Sequence, residues 1–302
     1  MTRRFPYPAR TARIVLVIAV ALGVALMWSG AASAQTKSLT VGSKNFSGAQ
    51  ALSQAYGQAL EGKGYDINYK ENIGATEIVY PALQNGELDA YADYQGTLLT
   101  YLGGEPTGDA AANYKALVAK LKGSGIVAGK YAPAIDVNGF YVTKDTAKKY
   151  KLKTLSDLSK NSSKLTFGGP PECETRPLCL GGTSQQLYNF KFKDVSKLDV
   201  GGPLTVQALE DGDIDVALLF TGSSVIPKDA VLLTDNKGLQ PSDNPVFLMR
   251  KEKATPAALK IVNGVSAKLS TAAYNKMSLA ISEDKEDPSD AAAAFLKSAK
   301  LT

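Results

Sequence analysis

The chain has 302 residues, 44% hydrophobic and 21% charged, with a formal net charge of +5, two cysteines and no histidine. That length accommodates two globular domains, and the missing imidazole excludes Ser-His-Asp and Cys-His catalysis together with every histidine-based metal site. Carboxylate-only and Ser-Lys mechanisms survive that cut, but neither a Gly-x-Ser-x-Gly elbow nor a carboxylate pair in a recognisable setting marks them.

Arg3, Arg4, Arg10 and Arg13 precede an apolar run from Ile14 to Trp28 and the small-residue site Ala32-Ser33-Ala34. This is the order of a secretory signal peptide over residues 1–34, cleaved after Ala34. A retained anchor is the rival reading, with an apolar run shorter than the roughly 20 residues of a span. Cleavage removes four positive charges and no negative ones, so the net charge falls from +5 to +1. With it goes the case for a nucleic-acid partner, since no basic stripe or groove-reading motif remains. The leader also takes Trp28, the single tryptophan, so an aromatic site in the mature protein must be built from Tyr and Phe. The mature chain, with no lipobox cysteine near the cleavage site, is expected to be a soluble periplasmic monomer.

The mature chain opens with Leu39-Thr40-Val41-Gly42, a short strand running into Ser43-Lys44-Asn45-Phe46. Ser47 is expected to cap a helix with apolar positions at Ala51, Leu52, Ala55, Ala59 and Leu60, ending near Gly62 to Gly64. A residue at a strand's C-terminal end sits where open α/β sheets bind ligands, so Lys44 is placed to meet an anion; a solvated loop lysine is the plain alternative. Tyr65 to Lys70 alternates as a second strand, and Thr76 opens a helix that ends at Gly86.

A segment that recurs begins inside that helix. Tyr80 to Thr97, YPALQNGELDAYADYQGT, aligns with Val206 to Ser223, VQALEDGDIDVALLFTGS, at a constant offset of 126 residues. Ala82-Leu83 fall on Ala208-Leu209, Gly86 on Gly212, Asp89 on Asp215, Tyr94 on Phe220 and Gly96 on Gly222. Each copy reads as a helix end, a glycine stop, an acidic step and a run toward an aromatic and a hydroxyl. Two similar lobes facing each other would each deliver one ring to the cleft between them. The plain alternative is a common helix-to-strand joint with the aromatic in the core.

Ala110 to Lys122 is amphipathic and helical, and Ala132 to Tyr141 reads as a crossover strand broken at Asn138-Gly139. Asp145 to Tyr150 and Thr154 to Ser159 are short helical pieces. Leu165 to Gly168 starts a second set: strand, glycine-rich loop, helix from Thr183 to Tyr188, strand from Lys197 to Val200, then the second repeat copy. Cys173 and Cys179, with five residues between them, fall in that loop. In an exported chain an even count reads as one disulfide closing a small loop, two free thiols being the alternative, and a metal site lacks further soft ligands. After a strand from Ala230 to Thr234, Pro241 to Arg250 returns toward the first lobe, and helices follow at Pro256 to Leu269, Thr271 to Ala280 and Asp287 to Lys297. The pattern predicts an α/β protein of two lobes, residues 35–137 with 241–302 and residues 138–240, joined by crossings near Val137 and Gln240 and closing around a ligand by hinge motion.

VGSKNF, GATEIVYPALQNGELDAYADYQGT, PPECETRPLCLGG and the second repeat copy together resemble the periplasmic substrate-binding proteins that serve ABC importers of glycine betaine, choline, carnitine and related osmolytes. The likeness covers most of the mature chain in a consistent order. It implies a type II periplasmic binding protein fold and a non-enzymatic function, without catalytic residues, metal or cofactor: capture of a small quaternary-ammonium or zwitterionic osmolyte and its delivery to an inner-membrane ABC permease. Position by position, it implies that Lys44 and Arg176 hold a ligand carboxylate with Thr97 adding a hydroxyl. Tyr94, Phe140 and Phe220 would wall the ammonium, with Asn138 and Ser242 completing the contact set. A methylated ammonium has no N–H to donate and is best held by aromatic faces, each contributing roughly 0.5 to 2 kcal/mol once desolvated, while an arginine fork meets a carboxylate bidentately. The chain departs from the family at Pro241-Ser242-Asp243-Asn244-Pro245, where members commonly carry a tyrosine; Asp243 there suits an amine that does have N–H groups. The same transport role for another amine or amino-acid-derived ligand is therefore the second reading, a sensor lobe a third and a secreted α/β enzyme a fourth.

Overall fold

A computed structural model describes residues 1–2, 37–222 and 225–301. The leader read over residues 1–34 lies, but for its first two residues, outside them. From Ser38 the chain runs β1 (Ser38–Lys44), α1 (Ser47–Glu61), β2 (Asp66–Gly74), α2 (Thr76–Asn85), β3 (Ala90–Tyr94), α3 (Gln95–Tyr101), α4 (Ala110–Lys120) and β4 (Ile126–Ala128). It then crosses into β5 (Asn138–Thr143), α5 (Lys144–Tyr150), α6 (Leu155–Asn161), β6 (Thr166–Gly169), α7 (Gly182–Leu187), β7 (Asp194–Lys197), α8 (Pro203–Asp211), β8 (Val216–Phe220) and β9 (Ala230–Leu232). It returns through β10 (Pro245–Arg250) and closes with α9 (Pro256–Lys268), α10 (Thr271–Ser282) and α11 (Pro288–Ala299). None of the helices among the described residues is long and apolar enough to cross a membrane.

Two five-stranded sheets result, in the orders β2-β1-β3-β10-β4 and β7-β6-β8-β5-β9. β1 pairs in parallel with β2 and β3, as β6 does with β7 and β8; β10 and β5 enter antiparallel, each the first strand after a crossing. The orders correspond strand for strand, so the recurrence seen in the sequence is a repeat of whole lobes. Its register is the same 126-residue offset, Val41 facing Ala90 as Phe167 faces Val216.

The repeat rests on three local requirements. α2 and α8 stop at Gly86 (φ 82°) and Gly212 (φ 78°), both left-handed, where a Cβ is disfavoured. Asp89 Oδ2 then accepts the Thr40 N–H at 2.9 Å, and Asp215 Oδ2 accepts that of Thr166 at 2.9 Å, which ties the turn to the start of the parallel strand in each lobe. A Cβ at Gly42 would lie 2.6 Å from Leu88 Cδ1, and one at Gly168 2.5 Å from Ile214 Cδ1, so both strands need glycine where the loop folds over them. Asp215→Ala is expected to lower stability by about 1–3 kcal/mol, measured by urea denaturation, because it leaves the Thr166 N–H without its carboxylate.

Each sheet is covered on both faces. Alternation along β3 sends Ala90, Ala92 and Tyr94 toward α1, α9, α10 and α11, while Tyr91 joins Val79, Leu83 and Leu117 on the opposite face. β8 divides likewise, with Val216 and Leu218 beside Phe140 and Phe167, and Ala217 and Leu219 beside Tyr141. Cys173 and Cys179 form a disulfide, both sulfur-bearing residues buried in the second lobe. The crossings run side by side: Asp136 N–H donates to the Asp243 carbonyl at 3.1 Å, and the Asn244 amide donates to the carbonyls of Ala132 and Ala134 at 3.0 and 2.9 Å.

Several local expectations are corrected. Phe46, not Ser47, is the N-cap of α1 and offers no side-chain cap; the Ser47 hydroxyl lies 2.9 Å from that of Ser278. β5 starts at Asn138, where a break was expected, and residues 132–137 are not strand: the N–H groups of Ala132 and Asp136 donate to the returning chain at Pro245 and Asp243, that of Ala134 to Leu269 at α9's end, that of Ile135 to the Thr271 hydroxyl and that of Val137 to the Thr221 hydroxyl. β7 lies at Asp194–Lys197, three residues earlier than read, and α3 and β4 were not anticipated.

Candidate functional site

The parallel strands β1, β3 and β8 end at Lys44, Tyr94 and Phe220, and all three residues line a cavity of about 280 Å³ between the sheets. This is the carboxyl-end position that open α/β sheets use for ligands. Phe46, one residue before α1, is the centre of its aromatic wall: its ring stacks on Tyr94 (centroids 6.0 Å, interplanar 29°) and on Phe220 (5.7 Å, 12°). Phe46 was missed in the sequence, although it follows the same strand end that singled out Lys44.

Lys44 is buried, its Nζ 3.1 Å from Asp93 Oδ1 and 5.0 Å from the centroid of the Tyr94 ring. Asp93 is fully buried and also accepts from the Tyr91 hydroxyl (2.7 Å), the Tyr94 N–H (2.8 Å) and the Thr76 hydroxyl (3.1 Å). The lysine charge is thus compensated by a carboxylate of the protein. Arg176 lies across the cavity in the disulfide-closed loop, and Glu77 in the first turn of α2 meets it with a two-point fork, Nε to Oε1 at 3.0 Å and Nη2 to Oε2 at 2.7 Å.

The Tyr94 ring is held by its hydroxyl, 2.5 Å from that of Tyr274, which donates to Asp136 Oδ2 at 3.0 Å. Asp136 Oδ1 accepts the N–H of Gly222 at 2.7 Å, so a continuous chain of bonds links the aromatic wall to the crossing. Burial, with the Asp136 charge nearby, pushes the Tyr94 phenol well above its ordinary range. Asp243 Oδ1 accepts the Gly96 N–H at 2.6 Å, and Oδ2 accepts the Thr97 hydroxyl at 2.6 Å. Burial pushes the Asp243 carboxyl up to about 6 despite these bonds.

Lys44, Tyr94, Thr97, Asn138, Arg176 and Phe220 therefore line one cavity, and two other sequence candidates do not. Phe140 is a core residue, 1% exposed and packed on Phe167 and Phe190. The register explains it: Asn138 faces Phe220 at the cleft end of the sheet, whereas Phe140 faces Leu218, one pleat deeper. Ser242 turns its hydroxyl to Asn244 Oδ1 at 2.8 Å, and its neighbour Asp243 faces the cavity instead. Ser223, aligned with Thr97, lies outside the described residues. The lining carries two cations, Lys44 and Arg176, against four carboxylates, Glu77, Asp136, Glu172 and Asp243. No cluster of three or more His, Cys, Asp or Glu suited to a metal occurs among the described residues.

Two α/β lobes, two side-by-side crossings and an aromatic, acidic cavity between them define a two-lobed solute-binding protein. The chain belongs to the family of substrate-binding domains of ABC-type glycine betaine transport systems, which it matches over residues 37–298. That family consists of binding proteins and not of enzymes. The chain is 30% identical over 245 residues to the carnitine transport binding protein OpuCC of Listeria monocytogenes, covering 78% of this chain and 77% of that one. It is 25% identical over 270 residues to the ergothioneine transport permease/ergothioneine binding protein EgtU of Helicobacter pylori, covering 87% of this chain and 48% of that one. Among solved structures, a glycine betaine/carnitine/choline ABC transporter protein superposes with a TM-score of 0.68 at 25% identity, covering 87% of this chain and 99% of that one.

Proposed function

We propose that this protein captures a small organic cation of the quaternary-ammonium or amine type outside the inner membrane, as a periplasmic monomer, and hands it to an ABC permease. The observation that carries the reading is the ring of Phe46 stacked between Tyr94 and Phe220 over a lining with more carboxylates than cations. Aromatic faces attract a methylated ammonium, and the acidic surround adds a field of the right sign. Residues 35–137 with 241–302 form one lobe and 138–240 the other, turning about the crossings as the ligand enters. Thr97 and Asn138 meet its polar end, and Lys44 and Arg176, each paired with a carboxylate of the protein, frame that end of the cavity. The similarity to the carnitine transport binding protein OpuCC supports a quaternary-ammonium head as the group recognised. Thermal-shift and calorimetric titration with choline, glycine betaine, carnitine, proline betaine, ectoine and ergothioneine tests it: saturable stabilisation with the ligand recovered unchanged is expected, and no response to any of them overturns it.

A second reading, an amine that keeps N–H groups, is favoured by Asp243, which places a buried carboxylate in the wall. Its titration gives a test. Burial in the fold raises this carboxyl from 3.8 to about 6, so the folded chain holds the proton more tightly than the unfolded one. The stability it contributes is present at low pH and lost as pH rises from about 4 to 6. A bound cation prefers the ionised form, so affinity should rise as pH passes upward through about 6 and fall up to about tenfold per unit below it. Calorimetry with ethanolamine, whose ammonium keeps its N–H groups, at pH 5, 6 and 7 should show that slope in the wild type and its loss in Asp243→Asn; an unchanged slope in the variant removes Asp243 from the site.

A further inference from the structure

The role of Arg176 depends on which carboxylate it meets. Its fork is already filled by Glu77, with the paired Nε–Oε1 and Nη2–Oε2 geometry that a ligand carboxylate would use. A second carboxylate of the protein, Glu172, stands 3.9 Å from Nη1. Burial acts to raise the Glu77 carboxyl, and the bond and charge of Arg176 outweigh it and hold the group below its ordinary range. The other cation of the lining, Lys44, is bound to an Asp93 locked by three further donor groups in the core. The Glu77 side chain, by contrast, is 44% exposed and that of Arg176 22%, so this pair is reachable and separable in a way the Lys44 pair is not.

We propose that Glu77 is a specificity-determining residue: an internal carboxylate seated in the Arg176 fork, which selects for cations without a carboxylate and admits a zwitterion only when it swings out. The proposal rests on the cation-binding reading above and refines it. A ligand such as choline settles against the rings with the Glu77–Arg176 pair intact, and that pair joins α2 of the first lobe to the disulfide loop of the second. A betaine must either leave its own carboxylate unpaired or break the pair, and breaking it releases a lobe-to-lobe contact.

Choline and glycine betaine share the trimethylammonium head and differ in the carboxylate, so they are the probes. Calorimetric titration of both into the wild type, Glu77→Gln, Arg176→Ala and the double variant is the experiment. Glu77→Gln is expected to tighten glycine betaine in absolute terms by roughly tenfold, the scale of one hydrogen bond to a charged group, and to weaken choline. In the Arg176→Ala background the same substitution is expected to give betaine no gain. Betaine affinity unchanged or weaker in Glu77→Gln, or the same gain without Arg176, overturns the role of Glu77 and leaves cation capture standing. Failure of the wild type to bind either compound removes the cation-binding reading and this refinement with it.

Discussion

Asp93→Ala is expected to destabilise the protein by roughly 3–5 kcal/mol, a large part of the stability of an ordinary domain. Asp93 is fully buried at the end of β3, and its carboxylate takes the Lys44 ammonium at 3.1 Å together with the Tyr91 hydroxyl, the Tyr94 N–H and the Thr76 hydroxyl. Truncation leaves an ammonium 5% exposed with its carboxylate gone, and strips three neutral donors of their acceptor. Removing one partner of a buried pair costs far more than removing both. Lys44→Met combined with Asp93→Ala should therefore recover part of the loss, and urea denaturation of the four corners of this cycle measures it. A double variant as unstable as the sum of the singles would show that the two charges do not depend on each other.

The second large effect separates the two rings that the repeat aligns. Tyr94 is 4% exposed, packs in the first lobe's core and is bonded through Tyr274 to Asp136, so Tyr94→Ala should cost about 3–5 kcal/mol of stability as well as ligand affinity. Phe220 is only half-buried at the end of β8, stacked on Phe46, and Phe220→Ala should weaken ligand binding with little change in melting temperature. The ring's share of binding is about 0.5–2 kcal/mol, or up to roughly thirtyfold in affinity. Tyr94→Phe, which keeps the ring, should retain most of the affinity. Differential scanning calorimetry without ligand, followed by titration with choline, reads both quantities; a full loss of stability in Phe220→Ala would make that residue part of the core.

Much of this was legible in the sequence because the repeat is enforced by backbone chemistry. Gly86 and Gly212 need positive φ, Asp89 and Asp215 need to reach a strand N–H, and the 126-residue offset carries these demands unchanged from lobe to lobe. Lys44, Tyr94 and Phe220 lie at strand ends, and a strand end can be read from a hydrophobic run. What the chain did not disclose is set by pairing between distant segments. Phe140 sits one pleat too deep to reach the cleft, a matter of its register with Leu218, and Ser242 differs from Asp243 only in which way the returning chain turns. Asp136 and Tyr274, 138 residues apart, meet through a bond that no local pattern announces. Glu77 was visible as a charge in a helix's first turn, but its partner comes from the other lobe.

The strand that follows the returning crossing also dictates the order in which the molecule can be completed. β10 inserts between β3 and β4, so the first sheet stays split until residue 250 has emerged, long after β1, β2 and β3 are available. Until then β3, destined for burial on both faces, presents a bare flank to any other extended polypeptide. Assembly from such distant partners is slow, and the unpaired flank stays exposed until the returning strand docks.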